Sequence, residues 1–118
     1  TEPYSVAAAK TNYVDGSQKA AWIVGYIVGS VDGMNLSSNA VFGTATSTKT
    51  NLLISDNPNA TSVSECIPVQ LPSGTIRDNL NLVDKPGNLG KKVKLNGSIE
   101  KYFGAAGFKS VKEYEFVQ

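Results

Sequence analysis

Seven lysines fall between residues 85 and 112, with Glu100 the one acid among them, a net of +6. Residues 1–84 carry Lys10, Lys19, Lys49 and Arg77 against seven acids, a net of −3. The whole chain returns to +1, too little to set up a strong long-range field. A basic stretch of this kind has two readings. It can be a solvated strand face whose lysines block edge pairing. It can also track phosphates, and then nearby aromatic side chains would stack on bases. The candidate cations are Lys49, Lys92, Lys94, Lys101 and Lys109, and the candidate stacking groups are Tyr26, Phe42, Tyr102 and Phe108. Of these, Lys49, Lys92, Lys94, Lys101, Tyr102, Phe108 and Lys109 form the expected ligand-binding set.

Other chemistry is poorly served. Histidine is absent and Cys66 is the single cysteine. This excludes a Ser/His/Asp triad, a Cys/His dyad, histidine-ligated metals and an intrachain disulfide. Cys66 stands next to Ile67 with no base to activate it, so a buried thiol is expected. Asp56, Asn57, Asn59 and Glu65 cluster, but Pro58 falls where a calcium loop needs a ligand, and turn chemistry explains the segment. Glu100, Glu113 and Glu115 could approach one another in a hairpin. Acid–base catalysis would also need a pocket and a raised pKa, which surface strand positions rarely supply. The expectation is therefore a non-enzyme with no cofactor and no metal.

The elements that must position these residues are mostly strands. The chain has 118 residues, one domain's worth, and no linker or repeat divides it. Ser, Thr and Asn fill 30 positions and charged residues only 18 %, the mark of a turn-rich β domain. A helix is expected over 4–12, with Ser5 as N-cap and an alanine run behind it. Residues 19–31 form the strongest strand signal. They are apolar in both phases and interrupted by Gly25 and Gly29, as a strand serving two halves of a closed barrel must be. Residues 34–50 read as a long polar loop or frayed hairpin around the apolar island 40–42. Strands follow at 51–55 and 67–71, the second with Pro68 placing it near an edge or a strand start. Thr75 opens an expected helix to Val83, with Ile76, Leu80 and Val83 on its apolar face. Residues 92–103 alternate cleanly as a fourth strand, 104–107 turn, and 111–117 make the fifth.

A helix between the third and fourth of five antiparallel strands is the layout of the OB-fold barrel, and an all-β, antiparallel barrel with two short helices is expected here as a single domain over 1–118. That fold binds ligands on its second and third strands, between the loops that would here be 32–50 and 104–109. The segments Trp22–Gly29, Asn51–Asp56, Pro68–Gly74, Leu80–Leu82 and Gly97–Gly104 resemble an OB-fold domain family of exported Bacteroidetes proteins. It is similar to a region beside some extracellular bacterial nucleases to which nucleic-acid binding is ascribed. The resemblance implies export, as a periplasmic, surface or lipid-anchored protein, although no signal peptide is visible from Thr1. It carries no agreed catalytic residues.

Single-stranded DNA or RNA is the expected partner, bound weakly and without regard to sequence. The rival is a glycan or a neighbouring protein domain, for which Trp22 would be the stacking group. Its place in the most apolar strand argues for the core instead. No segment is long and apolar enough to span a bilayer.

Overall fold

The computed structural model describes residues 2–118. Thr1, with which the expected domain begins, lies outside the described residues. Helix α1 covers Val6–Asn12 and α2 covers Thr75–Leu80. The strands are β1 (Lys19–Val31), β2 (Ala40–Phe42), β3 (Asn51–Ser55), β4 (Cys66–Gln70), β5 (Lys92–Tyr102) and β6 (Ala105–Phe116). Short 3-10 turns stand at Val63–Glu65 and Pro86–Asn88.

Five of the strands close into a ring in the order β1-β3-β4-β6-β5, with β5 pairing back to β1. The expected five-stranded, barrel-like architecture with two short helices is therefore present, with β2 attached outside the ring on β1. One pairing corrects the all-antiparallel expectation. β4 and β6 run parallel and are registered at Val69 and Phe108. That short pairing lets Pro68, which lacks an N–H, sit in mid-strand opposite Leu53 instead of at an edge.

The long first strand serves two environments, as its sequence demands. Ile23 and Ile27 point into the ring. A bulge between Ile27 and Gly29 then shifts the phase, so that Val28 and Val31 join a second cluster outside it. A Cβ at Gly29 would stand 2.0 Å from the Val41 carbonyl oxygen, so only glycine lets β2 approach so closely.

The main core fills the ring with Ile23, Ile27, Leu52, Ile54, Ile67, Val69, Leu95, Ile99 and Phe108. Helix α1 seals one side with Val6 and Ala9. Its N-terminus is held twice: Ser5 Oγ accepts from Ala8 N at 3.1 Å, and the Asp56 carboxylate accepts from Val6 N at 2.8 Å and Ala7 N at 3.0 Å. The turn acid Asp56 is thus a helix cap. Helix α2 is shorter than expected and is capped by Gly74, not by a Thr75 side chain. It stops at Leu80 because Asn81 turns the chain, donating to Arg77 O at 2.8 Å and accepting from Asp84 N at 2.7 Å. Leu82 is buried as a result, while Val83, expected on the apolar face, is 37 % exposed.

The β5–β6 hairpin also differs from expectation. Tyr102 pairs with Ala105, leaving a two-residue turn of Phe103 (φ 55) and Gly104 (φ 73). Positive φ at both positions is the type I′ geometry that suits the twist of a hairpin. The last strand therefore begins at Ala105, six residues before the expected Val111. No helix among the described residues is long and apolar enough to cross a membrane.

Candidate nucleic-acid interface

The alternation of β5 puts Val93, Leu95 and Ile99 inside the ring and Lys92, Lys94 and Asn96 outside it. β1 runs alongside, with Tyr26 opposite Lys92, Val24 opposite Lys94 and Trp22 opposite Asn96. The outer face of this pair is therefore a ladder of aromatics against lysines. Lys92 Nζ lies 5.6 Å from the Tyr26 ring centre, and Lys94 Nζ lies 5.2 Å from that of Trp22. Both lysines are half-buried, their stems lying along the rings while their ammonium groups stay wet. At the start of β5, Lys91 Nζ stands 4.9 Å from the Phe116 ring centre. An open cleft of about 590 Å³ joins Tyr26, Gly90, Lys91, Lys92 and Phe116. At the far end of the same strand, Lys109 on β6 lies over Tyr102 at 5.3 Å.

Acids flank part of this face. Glu115 reaches Lys94 at 3.7 Å, and Glu113 accepts from the Asn96 amide at 2.8 Å. The ladder thus has a basic end at Lys92, with Lys91 and Phe116 at the core side of the same sheet end, and a neutralised middle.

The expected residues do not all converge here. Lys92 and Lys94 share the β1–β5 face. Lys109 and Tyr102 meet at the hairpin end, where burial raises the Tyr102 pKa above its ordinary value. Lys101 turns away and pairs with Asp15 at 3.3 Å. The Tyr13 hydroxyl, and then Lys101, hold the Asp15 carboxyl below the usual carboxylate range. Lys49 is also elsewhere, 3.2 Å from Asp84, whose carboxyl is held low by the Asn81 amide and then by Lys49. Phe108 is a correction: it is fully buried and cannot stack on a ligand. A Cβ at Gly97 would stand 2.8 Å from the Phe108 ring, so the glycine opposite makes its socket.

Two residues missed from the sequence are Trp22 and Lys91. Trp22 was expected in the core, but the two-residue alternation places Ile23 inward and Trp22 outward, half-exposed. The clean phase of β5, read across to its partner, would have found it.

The outer face of β3 and β4, where this fold class usually binds, is covered by the chain itself. Val28, Val31, Leu53, Ala60 and Cys66 form a second buried cluster there, against Leu36, Ala40, Phe42 and Phe103. Buried Asn51 continues the ladder, accepting from Val31 N at 2.7 Å and donating to Val31 O at 3.0 Å. The segment 32–50 is tied down at its other end by the Asp32 carboxylate, which accepts from Ser47 N at 2.9 Å. Burial pushes the Cys66 thiol up to about 11, which keeps it protonated and inert at neutral pH.

Part of the chain is 39% identical to Endonuclease YhcR of Bacillus subtilis (strain 168) over 62 residues, 52% of this chain and 5% of that protein. The chain thus corresponds to a small fraction of that relative. In fold it is similar to the hypothetical protein ygiW from E. coli, with a TM-score of 0.50 over 99% of this chain and 91% of that one, at 16% identity. The family model described as "Domain of unknown function (DUF6359)" matches residues 4–117, and the chain belongs to that family.

Proposed function

We propose that this domain is a non-catalytic binding module for single-stranded nucleic acid, held on the outer face of β1 and β5 without regard to sequence. The observation that carries the proposal is the ladder of Lys92 over Tyr26 and Lys94 over Trp22, with Lys91 over Phe116 at the core side of the same sheet end. Lysines neutralise phosphates, and aromatic faces stack on any base, so such a ladder binds strands but reads no sequence. Each lysine can swing from its ring to a phosphate as a base takes its place. The partial likeness to an endonuclease supports the same ligand class, with this domain holding the strand and another part of such a protein cutting it. An exported setting, at the surface or lipid-anchored, goes with this function on the strength of the family resemblance.

A second reading has one observation in its favour. Trp22, Tyr4, Glu2 and Asn96 border an open cleft of about 420 Å³. An aromatic face beside an amide and a carboxylate also suits a sugar ring.

Fluorescence anisotropy of labelled single-stranded DNA and RNA, titrated at low and moderate salt, separates the two. The nucleic-acid function requires saturable binding that weakens steeply with salt and is lost in Lys92→Glu/Lys94→Glu. Absence of binding at high micromolar protein and low salt overturns it. Binding of neutral oligosaccharides, unaffected by salt, would establish the second reading in its place.

A further inference from the structure

The two ends of the β1–β5 ladder are not equivalent. Lys94 and Asn96 have Glu115 and Glu113 as partners. Lys91 and Lys92 make no ion pair among the described residues, and no acidic side chain lines the cleft between them. Each has a ring beside it, Phe116 for Lys91 and Tyr26 for Lys92, and Gln118 also borders the cleft. Tyr26 with Lys92 stands on the outer side of this sheet end and Phe116, paired with Val93, on its core side, and both lysines and both rings border the one cleft, so an anion there meets cations and stacking surfaces together.

The cleft is also built in advance of any ligand. Gly90 N donates to Ile27 O at 2.8 Å, Ile27 N donates to Lys91 O at 2.9 Å, and Val117 N donates to Lys92 O at 2.9 Å. Buried Asn88 anchors the preceding turn by donating to Asn79 O at 2.9 Å. Gly90 takes φ +87, which lets the chain turn tightly into β5. The backbone that carries both lysines is thus fixed from three sides, and only the side chains need move.

We propose that this cleft is a mononucleotide subsite, taking one base against Tyr26 or Phe116 and its phosphate between Lys91 and Lys92. It rests on the nucleic-acid function proposed above and adds a polarity to it. A strand is gripped at the Lys91–Lys92 end and lies more loosely toward Asn96, where acids compensate the charge.

The test is amide chemical-shift mapping of the whole domain with adenosine 5′-monophosphate, adenosine and inorganic phosphate, beside anisotropy of a labelled oligothymidylate. The mononucleotide should shift Tyr26, Gly90, Lys91 and Lys92, with adenosine and phosphate each binding about tenfold more weakly or worse. Lys91→Gln alone, at an exposed position, should weaken the mononucleotide several-fold without disturbing the remaining amides. If the oligomer binds while the mononucleotide leaves these amides unmoved, the subsite is overturned and the strand-binding function stands. If the mononucleotide binds there and the oligomer does not, the subsite stands and strand binding falls. Equal affinity for phosphate and mononucleotide would reduce the cleft to a plain anion site and overturn the role of its rings.

Discussion

Two outer faces of one ring have opposite fates in this molecule. On β3 and β4 the outward positions Leu53 and Cys66 are buried, because segment 32–50 folds back over them. On β1 and β5 the outward positions Trp22, Tyr26, Lys92 and Lys94 stay half-exposed, with Tyr26 packing at the edge of the covered cluster. The first face is apolar and needs a cover; the second combines cations with rings and is open to solvent. The proposed binding function therefore uses the β1–β5 pair, because segment 32–50 covers the outer face of β3.

The largest expected effect tests which aromatics belong to the core. Phe108→Ala should destabilise the fold by about 3–5 kcal/mol, since it empties a socket shaped by Gly97. Urea denaturation measures it. A loss under 1 kcal/mol would mean that Phe108 is not the ring's central packing residue.

Next comes the covered face. The Cys66 thiol has its pKa raised to about 11 from 9.0, chiefly by burial. The folded state therefore favours the protonated thiol. Its contribution is intact below pH 9 and is lost as pH rises toward 11, amounting to about 2–3 kcal/mol over that window. Cys66→Ala should flatten this alkaline loss in a pH series of thermal melts. Rapid alkylation of the native thiol at neutral pH would contradict the burial itself.

On the open face, Lys92→Glu/Lys94→Glu should weaken single-strand binding by tenfold or more, roughly 1.4 kcal/mol and upward. Stability should change by only about 1 kcal/mol, because what these half-buried side chains give up is cation–π contacts at the surface and one exposed ion pair. Affinity and melting temperature falling together would show a structural role instead. The smallest effect belongs to Lys49→Gln, which removes a solvent-exposed pair with Asp84. It should leave affinity unchanged in the same assay and cost under about 1 kcal/mol.

These contrasts also show where the sequence is legible. The β5 segment alternates without exception from Lys92 to Ile99, and its lysine face could be read directly. The double apolar phase of β1 correctly signals a strand with two environments, and its span is as expected. Apolarity in both phases also hid Trp22, since nothing local says which half faces a neighbour. Phe108 was misplaced for a different reason. Gly104 and Gly107 stand just before it and suggest a loop, whereas the turn is made by Phe103 and Gly104 alone. Gly107 lies inside β6, where a Cβ would stand 2.4 Å from that of Tyr102. The cover over β3 depends on Phe42 and Leu36 packing against the cluster that holds Leu53, a meeting of separate segments that no local pattern specifies.

Trp22 is the single tryptophan of the chain and stands in the middle of the open face. Its fluorescence during titration with unlabelled oligothymidylate, beside anisotropy of a labelled copy, tests the central claim most directly. The account predicts saturable quenching that tracks anisotropy and recedes with salt. Binding seen by anisotropy with Trp22 emission unchanged would place the ligand elsewhere and contradict it.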